Sequence, residues 1–324
     1  MNKFWKFSLS TLFAAGLLVG CGEETAPSEP ASPPPTEDPV EAEEAEFPIT
    51  LVDAVGEEVI LEEEPEAIIS MIPSNTEIAY ELGLGDKMVG LSDYDNYPAE
   101  TEGVDRIGGQ EFNVEQIISL QPDIVLAHES GIGAGEEGLQ QLRDADIKVF
   151  VVQNAISFDE VYETIAIIGQ ATGAVEEAQS LIADMQEQVA DIEERAAAVE
   201  EQKTVFIEVG STPEIYTTGS GTFMDEMLSI INAENMAGDQ EGWVSMDPEA
   251  IVDGNPDVII TTDGTYNPDA VEQIKTRSGF ADVTAVQEEA VYAVDSDPVT
   301  RSGPRLTEGL MELAQAVYPE VFSE

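Results

Sequence analysis

The 324-residue sequence predicts an α/β protein: two parallel-sheet lobes joined by one long rigid helix, with a ligand cleft between the lobes. Three observations predict it. Apolar runs of strand length alternate with helical patterns in both halves, as in βαβ units. A stretch free of Gly and Pro, residues 174–202, separates the halves. One segment occurs twice, EQIISLQPDIVL at residues 115–126 and EAIVDGNPDVII at residues 249–260.

The elements follow in chain order. Lys3 and Lys6 precede an apolar run from Leu9 to Val19, ending in Gly20-Cys21. A basic start, an apolar centre and a small residue at the cut mark residues 1–20 as a signal peptide. Leu18-Val19-Gly20-Cys21 resembles a bacterial lipobox, whose Cys is acylated and becomes the mature N-terminus. An ordinary signal peptide or a short membrane helix is the other reading, but the run is short for a span. Residues 21–46, rich in Pro, Glu, Ser and Ala, read as the lipidated Cys and a disordered acidic tether. The N-terminal lobe is expected over residues 47–172. It opens with a hairpin turning at Gly56 and a strand at Ala67–Met71, and continues with a helix at Thr76–Leu82 and a strand at Lys87–Leu91. A loop at Ser92–Pro98 leads to the first repeat. A flexible loop is expected at Gly131–Gly138, a helix at Leu139–Ala145 and a strand at Lys148–Val152. Ser157 and Glu160 form a capping box for a helix to about Ala171.

Residues 174–202 place Leu181, Ile182, Met185, Val189 and Ile192 at helical spacing. This predicts a spine helix of roughly 29 residues, about 43 Å long, within a linking segment at residues 173–203. The C-terminal lobe, residues 204–324, restarts with a strand at Thr204–Val209 and a helix at Phe223–Ile231, then Trp243 on a loop and the second repeat. A strand at Ala290–Val294, a polar loop at Asp295–Pro304 and a last helix at Arg305–Val317 complete it.

Both repeats have one physical grammar. Asn113 and Asp247 are N-cap residue types, and Pro248 suits the first helical position. Glu115 and Glu249 fall in the first turn, where the helix dipole favours a carboxylate. Pro122 and Pro256 are expected to end the helices, and Ile124 and Val258 begin buried strands. Two readings fit the pair: a generic helix-to-strand step, or matched carboxylates on two equivalent lobes, set to dock on a partner.

The net charge is −55, from 67 acidic and 12 basic residues. Such a body is repelled by nucleic acid and by anionic membrane surfaces. The acidity is spread along the chain and suits a saline or alkaline exterior. A calcium-storage reading lacks any EF-hand loop pattern.

Six motifs in order then carry a family resemblance: PSNTEI (73–78), ELGLGDK (81–87), YDNYP (94–98), FNVE (112–115), PD (122–123) and RSGPR (301–305). Over about residues 47–322 the chain resembles the solute-binding lipoproteins of ABC importers, in the branch for ferric siderophores, haem and vitamin B12 (periplasmic binding proteins of class III). The resemblance implies two Rossmann-like lobes on a rigid helix, with little hinge closure. It implies an extracytoplasmic protein, lipid-anchored at the outer face of the cell membrane and monomeric. Its partners would be permease and ATPase subunits and a metal-chelate small molecule, a corrinoid or ferric siderophore. It implies that Glu115 and Glu249 dock into Arg-lined permease pockets. Tyr94 matches a corrinoid-contacting Tyr, Trp243 a cleft aromatic and Arg301 a cleft Arg, while Arg305 is expected to cap or pack the last helix. A cleft Trp of the vitamin B12 member falls at Gly109 here, which removes an aromatic wall.

Tyr and Trp offer broad, stiff apolar faces with a polar handle, which suit the flank of a large chelate. Arg301 is expected to be a local positive spot for a ligand oxygen. His128, the single His, reads as a loop or packing residue that could face the cleft. No catalytic residue, resident cofactor or metal-ligand set is expected, since neither a G-x-S-x-G elbow nor a Walker loop occurs. Two rivals remain: a secreted hydrolase using two carboxylates, and a surface or sensory lipoprotein that binds no chelate.

Overall fold

The computed structural model describes residues 46–322 except Thr212; the signal segment, Cys21 and the tether, as read from sequence, lie outside the described residues. In the first lobe the strands are β1 (Ile49–Val52), β2 (Glu58–Leu61), β3 (Ile68–Ser70), β4 (Met88–Gly90), β5 (Ile124–His128) and β6 (Lys148–Val152). They are interleaved with α1 (Pro73–Glu81), α2 (Val114–Leu120) and α3 (Ile132–Asp144), and α4 (Phe158–Thr172) follows. β1 and β2 form the expected antiparallel hairpin, with Gly56 at φ 87° in its turn. The remaining four strands make a parallel sheet in the order β4-β3-β5-β6.

α5 (Val175–Ala196) links this lobe to the second. There the strands are β7 (Thr204–Glu208), β8 (Tyr216–Thr218), β9 (Glu234–Asn235), β10 (Trp243–Ser245), β11 (Val258–Thr261) and β12 (Val291–Ala293). The helices are α6 (Phe223–Ile230), α7 (Pro248–Gly254), α8 (Ala270–Thr276), α9 (Thr284–Gln287), α10 (Ser296–Thr300), α11 (Leu306–Val317) and α12 (Pro319–Phe322). β12-β11-β7-β9 form a second parallel sheet, and β8 and β10 pair antiparallel as a separate ribbon.

Strand periodicity explains the layers. Ile68, Ile124, Leu126, Phe150 and Val152 of the first sheet face one core, and Ile69, Val125, Ala127, Val149 and Val151 face the other. Successive strand residues point to opposite faces, so continuous apolar runs mean burial on both. In the second sheet Val205, Ile207, Val258 and Ile260 join the first of these cores, while Phe206, Ile259 and Val291 face an outer one. One apolar core therefore runs through both lobes, and α5 contributes Ala178, Met185 and Ile192 to it.

Five expectations need correction. The polar loop expected at Asp295–Pro304 holds the short helix α10 (Ser296–Thr300), whose Pro298 and Val299 are buried, Val299 in the common core. α5 spans 22 residues, about 33 Å at the standard rise; the chain turns back after Ala196, and Val199 packs on the common core. Tertiary packing overrides the helix propensity of residues 197–202. α3 begins at Ile132, so the expected Gly131–Gly138 loop is largely helical. Its glycines make room for a ring: a Cβ on Gly138 would lie 2.6 Å from Phe112, and one on Gly135 3.0 Å from it. Trp243 lies in β10, not on a loop. The repeat helices stop at left-handed residues, Gln121 (φ 50°) and Asn255 (φ 45°), one residue before each proline.

Candidate functional site

The first lobe supplies one wall of a cleft at the carboxyl ends of its parallel strands, where ligands sit in such sheets. β3 runs into Met71 and Ile72, β5 ends at His128, and these residues with Tyr94, Gly109, Phe112 and Ala127 line a cavity of 210 Å3. Tyr94 is 57 % exposed on a loop held by hydrogen bonds. Its amide donates to Ser92 Oγ at 3.3 Å, Ser92 Oγ donates to Asp95 Oδ2 at 2.6 Å, and Arg106 Nη1 donates to the Ser92 carbonyl at 2.9 Å. Burial pushes the Asp95 carboxyl above its ordinary pKa, against the Ser92 hydrogen bond. Gly109 has a specific job here, since a Cβ would lie 2.8 Å from Tyr94 Oη and 2.9 Å from its ring. The Tyr94 side chain occupies the space that a residue larger than Gly109 would take.

The second lobe supplies the facing wall. β10 pairs with β8 in the register Trp243↔Thr218 and Ser245↔Tyr216, so Trp243 and Tyr216 share one face of the ribbon. Trp243 is 51 % exposed, and its ring meets Phe223 edge-on at 6.4 Å and 68°. The Gly219 backbone lies against the Gln240 carbonyl, too close for any side chain, and so brings the ribbon's ends together. A cavity of 190 Å3 is shared by the lobes: Ile72, Ser74, His128, Asn154 and Ile156 from the first face Thr222, Phe223, Trp243, Thr300 and Arg301 from the second. Ile72, His128 and Ser130 line both cavities, which are therefore two compartments of one cleft.

Arg301 lines the shared compartment, but its charge is committed. Nη1 donates to Glu77 Oε1 and to Asn96 Oδ1, each at 2.8 Å, and Nη2 meets Asp297 Oδ1 at 2.9 Å. Arg305 also holds Glu77, through Nη2 at 2.7 Å and Nε at 3.0 Å, and its guanidinium lies 4.0 Å from the Tyr97 ring centroid. Burial alone would lower the Arg305 pKa; the Glu77 carboxylate outweighs it and raises it. Asn96 Nδ2 closes the network by donating to Asp297 Oδ2 at 2.9 Å. Glu77 and Asn96 belong to the first lobe, Asp297, Arg301 and Arg305 to the second. The free positive spot expected at Arg301 is instead an ion-pair network across the lobes. Sequence reasoning missed it because Glu77 stands 224 residues from Arg301; its signal was an acidic residue on an otherwise buried helix face.

His128 is nine-tenths buried and sits between the compartments. Its Nδ1 accepts the Ser130 amide at 3.2 Å and lies 2.8 Å from Ser130 Oγ. Burial lowers its pKa, against Glu129 and the Gln153 backbone, which raise it, so the ring is neutral near pH 7.

The matched glutamates lie apart from these compartments. Asn113 Oδ1 accepts the Gln116 amide at 3.1 Å and caps α2, and Pro248 opens α7, whose Asp247 makes no side-chain cap. Glu115 and Glu249 are both exposed in the first turn. Ile117 and Ile251 are the fully buried residues of the two helices, and Val114, Leu120 and Val252 pack partly buried on the same cores.

Comparison with known proteins agrees with this architecture. The family described as periplasmic binding protein matches residues 68–298. An uncharacterised ABC transporter substrate-binding lipoprotein, YvrC of Bacillus subtilis, is 47 % identical over 97 % of this chain and 96 % of its own. A cobalamin-binding protein of Halobacterium salinarum is 30 % identical over 91 % of this chain and 81 % of its own. A crystal structure described as a possible iron-binding (periplasmic solute-binding) protein of Staphylococcus epidermidis superposes with a TM-score of 0.73 at 39 % identity, covering 79 % of this chain and all of that one. The chain belongs to the periplasmic binding protein family, among the class III solute-binding lipoproteins of ABC importers that serve ferric siderophores, haem and vitamin B12.

Proposed function

We propose that the protein captures a metal chelate, a corrinoid or a ferric siderophore, and hands it to the membrane permease of an ABC importer. The carrying observation is the two-compartment cleft with an exposed aromatic face from each lobe, Tyr94 and Trp243. Small-molecule pockets usually occupy roughly 300–1,000 Å3. The compartments measure 190 and 210 Å3, so a ligand filling one alone would be small. A large flat chelate lying over His128 would use both and be flanked by stiff rings. Arg301 then serves through its remaining donors, not as a free charge. The names of the cobalamin-binding and possible iron-binding relatives support this reading.

In the same reading Cys21 carries a lipid at the outer face of the membrane, and residues 22–46 give the body reach. Residues 47–172 and 204–324 act as the two lobes. Glu115 and Glu249 dock on the permease, whose ATPase partners supply the energy, and the protein binds its cargo without transforming it.

Trp243 tests the cargo. The sequence holds two Trp, and the other, Trp5, lies in the signal segment. Fluorescence of the mature protein therefore reports on the cleft. Cyanocobalamin or a ferric hydroxamate, both strong absorbers, should quench it saturably. A flat titration with every corrinoid, haem and siderophore tried would end the chelate reading.

A further inference from the structure

The cleft's charge balance narrows the cargo class. Among the described residues lining the two compartments, Arg301 is the single Arg or Lys. It faces Glu77 and Asp297, and Arg305 behind it faces Glu77 as well, so two guanidinium groups meet two carboxylates. His128 adds no charge near pH 7, because burial holds it neutral. At the rim, Asp93 beside Tyr94 and Glu129 beside His128 are exposed and acidic. The whole chain carries a net charge of −55.

We infer that the cleft selects its chelate by charge, accepting neutral and cationic chelates and rejecting anionic ones. This rests on the chelate reading above. An incoming anion meets a repulsive field over the last Debye length, about 8 Å at physiological salt. Inside, it finds no uncommitted cation. A ligand carboxylate could reach only the Arg301 donors left over by Glu77, Asn96 and Asp297, and could take its charge only by displacing Glu77 or Asp297. Glu77 is 1 % exposed, and stripping a partner from a buried carboxylate is strongly unfavourable. The other polar groups at the shared compartment are hydroxyls and an amide, namely Ser74, Ser130, Asn154, Thr222, Thr300 and Ser302. Thr222 and Thr300 already donate to the Gly219 and Ser296 carbonyls and Ser130 meets His128, so they mainly accept, while Ser74, Ser302 and the Asn154 amide both donate and accept; the set suits an amide- or hydroxamate-bearing periphery.

Matched chelates separate charge from shape. Dicyanocobinamide, with an amide periphery, is compared with dicyano-cobyrinic acid, which bears carboxylates on the same ring. Ferrioxamine B, with a free ammonium, is compared with its N-succinyl derivative. Quenching of Trp243 in the mature protein gives each Kd. In the pair that binds, the uncharged or cationic member should bind at least tenfold more tightly. The gap should narrow in about 1 M salt, where the Debye length falls to about 3 Å. Asp297→Asn, which removes the negative charge facing Arg301 Nη2, should narrow it several-fold by improving the carboxylate member. Equal or tighter binding of the carboxylate member by the unaltered protein overturns the inference, as does a gap that neither salt nor Asp297→Asn changes. Silence of all four chelates overturns this inference, since the members it accepts then fail to bind, while the chelate reading itself falls only with the flat titration against every corrinoid, haem and siderophore tried.

Discussion

Gly109 and Tyr94 show how one missing side chain shapes a wall. From sequence, Gly109 stands where the resemblance implies an indole, and the natural expectation is a gap. In the structure Tyr94 leans over the glycine, with its hydroxyl 2.8 Å from where a Cβ would be. The neighbour that must yield is the side chain of a half-exposed residue, not backbone. Gly109→Ala should therefore cost little in folding, within about 1 kcal/mol, while turning the Tyr94 ring out of its place. Chelate affinity should fall roughly tenfold, or about 1.4 kcal/mol, as measured by Trp243 quenching alongside thermal unfolding. Unchanged affinity would mean that Tyr94 does not touch the cargo.

At the scale of elements, legibility followed the range of the interaction. The repeat helices α2 and α7 were readable because the Asn113 cap on α2, Pro248 at the first position of α7 and the apolar spacing act within a few residues. Their ends were misplaced by one residue, since the left-handed Gln121 and Asn255 stop them before the prolines do. The start of α3 is not legible because its glycines look like a loop, and Phe112, which needs the space at Gly135 and Gly138, is more than twenty residues away in the chain. The ribbon holding Trp243 was not readable either, because its partner β8 lies 25 residues upstream (Trp243↔Thr218) and is three residues long. The matched glutamates give this scale its prediction. Glu115 and Glu249 sit in first turns, exposed and clear of the cleft lining. Glu115→Ala with Glu249→Ala should leave the fold within about 1 kcal/mol per site, the size of a first-turn dipole interaction, and should leave chelate affinity unchanged. Uptake through the cognate permease should fall by more than tenfold, measured with labelled chelate in cells or proteoliposomes. Normal uptake would return the repeat to plain fold grammar.

For the whole molecule, the decisive feature is that the lobes are joined in two ways at once. The apolar core is continuous through α4, α5, α6 and α11, and beyond it Glu77 holds Arg301 and Arg305 across the lobes. The backbone amide of Phe158 adds a bond to Glu226 Oε2 at 2.8 Å, from α4 to α6. A shared core resists hinge motion because close-packed side chains do not deform gradually. The ion network is different in kind: its net contribution against an apolar replacement is small, but removal of one member strands the others. With Glu77 gone, two guanidinium groups of low exposure, 14 % and 11 %, lose their common partner. Glu77→Ala should thus destabilise the protein by about 3–5 kcal/mol, the range for breaking a buried pair, seen as a lower urea midpoint. Asp297→Asn, which leaves Glu77 bound to both arginines, should cost clearly less. If Glu77→Ala unfolded no more easily than Asp297→Asn, the network would be a surface decoration, and the common core alone would hold the lobes together.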